Sequence, residues 1–351
     1  MAEVPTLDEF LGKLVGDLGA TTTSALVGIG DALGLYKALS GASGLTPAEL
    51  AKRTSTNERY VREWLCAQAA AGYVDYDAAA GTFSLNAVQT LAFADESSPA
   101  HFLGGFQVVR AMFKDMDTII EAFRSGRGVG WHEHDADLFC GTERFFRTGY
   151  NANLTTSWIP ALEGVQVKLE AGAKVADVGC GHGASTIIMA KAYPRSTFVG
   201  FDYHAPSIVA ARRHAGEEGT ADRVTFETAT AKDFEGRGYD LVCIFDALHD
   251  MGDPVGVAAH IREALAPDGT WLLVEPFAGD RVEDNLNPVG RIFYAASTMI
   301  CTPASRAQEV GLALGAQAGP KRLEEVCRQA GFTRFRTATQ TPFNLVFEVR
   351  P

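Results

Sequence analysis

Apolar positions along the chain repeat with two periods, and the switch between them divides the sequence into regions. Near the start, "LDEFLGKLVGDLG" and "TTSALVGIGDALGLYKALS" carry apolar residues three and four apart, the spacing of two amphipathic helices. Thr46 before Pro47, with Glu49 following, predicts a short helix to Lys52. The turn "TSTN" then leads into a longer helix over 58–71, which Gly72 closes. "YVDYD" and "TFSL" on either side of Gly81 predict two strands of a hairpin. Helix, turn, helix and hairpin in this order make a winged-helix pattern. From 96 to 170 the sequence is mostly helical, with aromatics and glycines that suit a linker and lid. Beyond 171, the runs "VADVG", "TFVGFD", "VTFETA", "DLVCIFDAL" and "TWLLVEP" alternate with helical segments, as in a parallel α/β sheet. The end differs: "GFTRFRTATQTPFNLVFEVRP" holds two strand runs separated by a short turn with Pro342, so this pair is antiparallel. The expected domains are 1–95, 96–170 and 171–351.

Bulk properties narrow the partners. A chain of 351 residues, 46% of them hydrophobic, has room for two cores. A winged helix suggests DNA, but the formal charge is −12 and no basic patch stands out. In the would-be recognition helix, Arg59 and Arg62 are offset by Glu58 and Glu63. No nucleic-acid partner is expected, and a role in dimerisation or pocket lining is favoured. A homodimer is expected, because a small winged-helix core leaves the two apolar N-terminal helices without a partner. The acidic start lacks a signal-peptide pattern, and there is no uncharged apolar run of roughly 18 residues, so no membrane association is expected. Six cysteines without a CxxC pair read as reduced thiols of a cytoplasmic protein.

The candidate chemistry centres on "KVADVGCGHGAST", an apolar run, a glycine-rich turn and a helical start. "GCGHGA" fits the loose dinucleotide pattern G-x-G-x-x-G/A. Asp177, two residues before Gly179, extends it to D-x-G-x-G-x-G with Gly181 and Gly183. Asp202 closes the next strand run and suits the ribose diol of either a dinucleotide or S-adenosylmethionine (SAM). Glycines let the backbone turn tightly near a ligand, and the helix start offers free N–H groups. The late position of the unit and the antiparallel final pair tilt the choice towards SAM.

On these residues, 172–279 resembles a class I SAM-dependent methyltransferase. With its front end the chain is similar to bacterial winged-helix small-molecule methyltransferases, and more distantly to plant-type O-methyltransferases. "WHEH", "ERFFR", "FDALHDMGDP" and "NLNPVGRIFY" carry that likeness. The resemblance implies a Rossmann-like α/β fold, a seven-stranded sheet with an antiparallel last strand behind a helical winged-helix domain. It implies SAM as cofactor and methyl transfer to an O or N atom of a small molecule. Asp177, Gly179, Gly181 and Gly183 would hold the methionine end, Asp202 the ribose, and Tyr203 would lie against the adenine. Thr230 and Ala231 fall where the family contacts the adenine edge. Many relatives carry Asp in place of Thr230, so the Ala231 backbone or Asp233 can take that contact instead. Phe245 and Asp246 would face the reactive end, with Tyr150 covering the methionine tail.

The same resemblance assigns His249, in "FDALHDMGDP", as a general base and Glu275, in "LLVEPF", as the carboxylate that orients it. The alternative is a histidine that only caps a helix or hydrogen-bonds. "WHEHDAD", with His132, His134, Asp135 and Asp137, has a His-x-His spacing but no further ligand motif, so no metal is expected there. Trp131 and His132 are expected to touch substrate or close over it. Arg291 and Tyr294 fall in an expected pocket wall, where Arg291 can pair a substrate carboxylate. Two rival readings stay open: a SAM-sensing regulator without turnover, and an NAD-dependent oxidoreductase.

Overall fold

Thr46 accepts a hydrogen bond from the Glu49 amide, and Glu49 accepts one from the Thr46 amide, which closes a capping box. This box starts the helix Pro47–Thr54, two residues longer than the sequence predicts. Asn57 caps the next helix, Glu58–Ala70, through the Arg59 amide, and Gly72 at φ +75 lets the chain leave it. Strands β1 (Asp75–Asp77) and β2 (Thr82–Ser84) then pair antiparallel, completing the winged helix. Its core joins Val27, Tyr36, Leu50, Trp64, Leu65 and Phe83. The two N-terminal helical patterns are in fact one helix, Leu7–Ala32, followed by a short one, Leu35–Leu39. The helix runs through Gly19, and Thr21 and Thr22 direct their hydroxyls back to the Asp17 and Leu18 carbonyls within it. The break falls at Gly34, φ +66.

The second sheet is built by β3 (Lys174–Val178), β4 (Thr197–Asp202), β5 (Val224–Thr228), β6 (Tyr239–Phe245), β7 (Leu265–Pro276), β8 (Arg334–Gln340) and β9 (Asn344–Arg350). Its order is β5-β4-β3-β6-β7-β9-β8, with β9 antiparallel to both neighbours and the other pairs parallel. The short Pro342 turn enforces the antiparallel pair, as expected. Central strands are buried nearly throughout, which is why they read as continuous apolar runs. Val178, Phe201, Ile244, Trp271, Leu273 and Phe347 form one core with the helices Pro254–Ala264 and Gly319–Gln329. Strand order reverses between β3 and β6, and a crevice beyond the carboxyl ends of such strands is where open α/β sheets bind ligands.

The computed structural model describes residues 4–351, which fall into two compact units. One is the chain up to Phe113 with Ala136–Thr148; the other is Lys114–Asp135 with Gly149–Pro351. The stretch 96–170 is therefore divided between them, through the helix Ala136–Asn153.

Candidate active site

All residues of the candidate site lie in the second unit. The glycine loop leaves β3 with Gly179, Gly181 and Gly183 at φ +77, +52 and +83, a region that L side chains rarely adopt. Gly179 and Cys180 donate their amides to the Phe201 carbonyl of β4, which bends the loop over the switch point. A Cβ on Gly183 would stand 2.6 Å from Phe226 Cζ, so packing as well as φ demands glycine there. A Cβ on Gly181 meets nothing within 4 Å, which leaves its backbone open to close approach by a ligand.

Asp177 is buried beneath this loop, and its Oδ2 accepts from the Ser185 and Thr186 hydroxyls at 2.6 Å each. Its Oδ1 is buried without a hydrogen-bond partner. Burial raises the carboxyl to about 6, against the two hydroxyls that lower it and with a further push from Asp202. Asp202 accepts the Gly181 amide on Oδ2 and the His204 amide on Oδ1, both at 2.9 Å, and burial raises its pKa despite them. Each oxygen keeps a lone pair for a further donor, such as a diol hydroxyl. Tyr203 is 46% exposed, with the His132 ring edge-on at 6.3 Å and the His204 ring tilted at 6.3 Å. Thr230 donates its hydroxyl to Asp233 at 2.7 Å, and Thr230 and Ala231 line a small recess of about 90 Å³ with Met251 and Asp253.

At the end of β6, Phe245 packs against Tyr150 (5.3 Å between centroids) and Trp158 (6.4 Å, stacked). Asp246 follows at φ +49, a left-handed conformation that Asp tolerates better than most residues. It accepts from Asn344 Nδ2 at 2.9 Å and from the Tyr150 hydroxyl at 3.4 Å. Burial and the nearby Glu275 hold its carboxyl well above the usual range, and burial with Asp246 does the same for Tyr150. Asn344 and Trp158 were not anticipated. Asn344 arrives from β9, so only the strand order puts it beside Asp246.

The turn Leu248–Asp250 carries His249, 3% exposed, whose Nδ1 lies 2.7 Å from Glu275 Oε2 at the end of β7. The other Glu275 oxygen accepts the Leu248 amide at 3.0 Å, so one carboxylate fixes both turn and ring. Burial alone would lower the imidazole, but Glu275 and Asp250 outweigh it and hold it well above the ordinary histidine range. His249 Nε2 faces Asp250 Oδ1 at 3.3 Å, while Trp131 Nε1 donates to Asp250 Oδ2 at 2.9 Å. Trp131 and His132 thus reach two parts of the site, Asp250 and Tyr203. The other donors of "WHEHDAD" disperse: His134 pairs with Asp115, Asp135 with Lys114 and Asp137 with Arg110. Arg291 is exposed on the helix Pro288–Ala296, and Tyr294 is half-buried on it.

This sheet order, with a glycine loop at the switch point and a winged helix earlier in the chain, is the fold that the sequence resemblance implies. Residues 176–271 match the methyltransferase domain family, and residues 21–94 match the Rv2258c-like winged HTH domain family. In sequence, the chain is 30% identical over 105 residues to the ubiquinone biosynthesis O-methyltransferase of Actinobacillus pleuropneumoniae serotype 5b, covering 28% of this chain and 43% of that one. It thus spans less than half the length of that relative. In structure, an O-methyltransferase family protein from Burkholderia thailandensis superposes with a TM-score of 0.73 at 19% identity, covering 99% of each chain. Human N-acetylserotonin methyltransferase in complex with SAM gives 0.73 at 16% identity, covering 100% of this chain and 99% of that one. No helix among the described residues is long and apolar enough to cross a membrane.

Proposed function

We propose that the chain is a SAM-dependent methyltransferase that methylates an oxygen or nitrogen of a small molecule. The observation that carries this reading is the pairing, around one switch point, of two ready parts. On the β3–β4 side are the open Gly181 backbone, the unpartnered Asp177 Oδ1 and the Asp202 carboxylate. On the β6–β7 side is His249 held by Glu275. The first set fits the cofactor: Asp177 offers an acceptor for the ammonium, Asp202 for the ribose diol, Tyr203 a face for the adenine. Gly179 and Gly183 shape the loop, and Thr230 with Ala231 line the adenine edge. Phe245, Asp246 and Tyr150 wall the methionine end. When bound, SAM supplies a methyl group already activated on its sulfonium.

The protein's share of the chemistry is then alignment and proton removal. Fixing an acceptor atom in line with its target is worth up to ~7–11 kcal/mol. With Nδ1–H donated to Glu275, His249 presents a lone pair on Nε2, the atom that takes the proton of an acceptor hydroxyl. Glu275 makes that nitrogen more basic and stabilises the imidazolium formed; because the same carboxylates hold the ring protonated well above the ordinary histidine range, the base form, and kcat with it, grows as pH rises past neutrality. Trp131 and His132 close over the acceptor, and Arg291 and Tyr294 contribute to its outer wall. A second copy of the chain pairs through the N-terminal helix, and no nucleic acid takes part. Arg59 and Arg62 are engaged by Glu63 and Glu58 on their own helix, which supports that exclusion.

Calorimetry of the purified chain with S-adenosylhomocysteine and with NAD(H) tests the cofactor; uptake of the nicotinamide alone sinks the reading. Transfer of labelled methyl from SAM into a metabolite extract tests activity and identifies the acceptor. His249→Ala is expected to lower kcat by ~10²–10⁴ with cofactor affinity nearly unchanged. A loss below about fivefold removes the base role and leaves methyl transfer standing.

A further inference from the structure

Beside His249 the site holds a feature that methyl transfer does not use. Cys301, buried at the end of the widened helical turn Ser297–Cys301, brings its sulfur to the imidazole and to Asp250. One ligand atom from each of His249, Asp250 and Cys301 lies within 4.8 Å of the others. We propose that these three residues bind a thiophilic divalent cation of the zinc class through His249 Nε2, Asp250 Oδ1 and Cys301 Sγ.

Geometry supports this at His249 and Asp250. The His249 Nε2 to Asp250 Oδ1 separation is 3.3 Å. A tetrahedron with Zn–N and Zn–O bonds of ~2.0–2.2 Å has an edge of roughly that length. Asp250 Oδ1 is buried and makes no hydrogen bond, its contact with Nε2 being off-axis. Trp131 holds the other oxygen and so keeps Oδ1 turned inward. Glu275 on Nδ1 fixes the tautomer that bares Nε2, the carboxylate–histidine support that metal-binding histidines commonly carry. Binding forms a Zn–S bond as the Cys301 S–H proton leaves to solvent, and leaves a fourth position for water.

One lone pair on Nε2 cannot serve both a cation and a proton. Occupancy of this site therefore switches off proton removal, and zinc is a reversible inhibitor of methyl transfer. Only this inhibitory consequence rests on the proposed function; the binding site does not.

The test uses the untagged full chain with Co²⁺ as probe. Wild type is expected to develop a thiolate-to-cobalt charge-transfer band in the near ultraviolet and strong visible bands of four-coordinate cobalt, which Zn²⁺ displaces. Cys301→Ser is expected to lose the charge-transfer band and to bind Zn²⁺ at least tenfold more weakly. Cys243→Ser, which removes a buried thiol in β6, keeps the band. X-ray absorption of wild type with one equivalent of zinc decides even if a variant misfolds, with one sulfur expected at about 2.3 Å. Absence of the band in wild type, its persistence in Cys301→Ser, or a zinc shell without sulfur overturns the site. A cobalt band in a chain that transfers no methyl under any condition upholds the site and refutes the proposed function instead.

Discussion

Asp177 is 1% exposed, satisfied on one oxygen by two hydroxyls and on the other by nothing. With its pKa raised to about 6, against about 3.9 when unfolded, the folded chain holds this proton more tightly. Stability therefore falls as pH rises from about 4 to 6, and the ionised carboxylate costs about 3 kcal/mol at neutral pH. Under the proposed function, a ligand ammonium at Oδ1 would offset this cost. Asp177→Asn is expected to unfold at no lower temperature than wild type at pH 7, with a flatter profile between pH 4 and 6. Its affinity for S-adenosylhomocysteine should fall at least tenfold by calorimetry. A lowered Tm with intact affinity would make Asp177 a loop strut only. At this scale the sequence is informative where a residue's meaning is local. Asp177, Asp202, His249 and Glu275 each stand at or just past a strand end that periodicity locates. Asn344 and Cys301 carry no local mark, because strand order and a helical turn far along the chain bring them to the site.

Among the elements, the glycine loop does two separable jobs, and its φ values alone do not tell them apart. At Gly183, alanine adds left-handed strain to a collision with Phe226 and Ala211, together roughly 2–4 kcal/mol. At Gly181 the new methyl meets open space, so the cost is strain alone, about 1–2 kcal/mol. Gly183→Ala is thus expected to lose clearly more stability in urea unfolding than Gly181→Ala, while Gly181→Ala loses more cofactor affinity than its stability change explains. Equal effects of both on both measurements would dissolve the distinction. The motif shows that glycines are needed, but what a Cβ would strike depends on a ring from β5 and a helix methyl. The winged helix was easier to read, since its Thr-Pro-x-Glu start is a capping box within four residues. The N-terminal helix reads as two in the sequence because threonines and a glycine look like a break, whereas the threonine hydroxyls bond within the helix.

For the molecule as a whole, a long unexplained apolar exposure lies on that N-terminal helix. Leu7, Leu11, Leu14 and Leu18 are 71%, 47%, 45% and 65% exposed, spaced four, three and four apart on one stripe. Such spacing is that of a helix seam, and each leucine fully buried contributes about 1.5–3 kcal/mol. A chain with formal charge −12 is repelled by its own copies at long range, a repulsion that contact burial of this kind offsets. Wild type is expected to sediment as a dimer that persists in high salt. Leu11→Asp with Leu14→Asp is expected to sediment as a monomer that still binds S-adenosylhomocysteine, because Asp177, Asp202 and the glycine loop belong to the other unit. A monomeric wild type would leave the stripe without this explanation, and loss of cofactor binding in the monomer would show that the two units depend on each other through assembly.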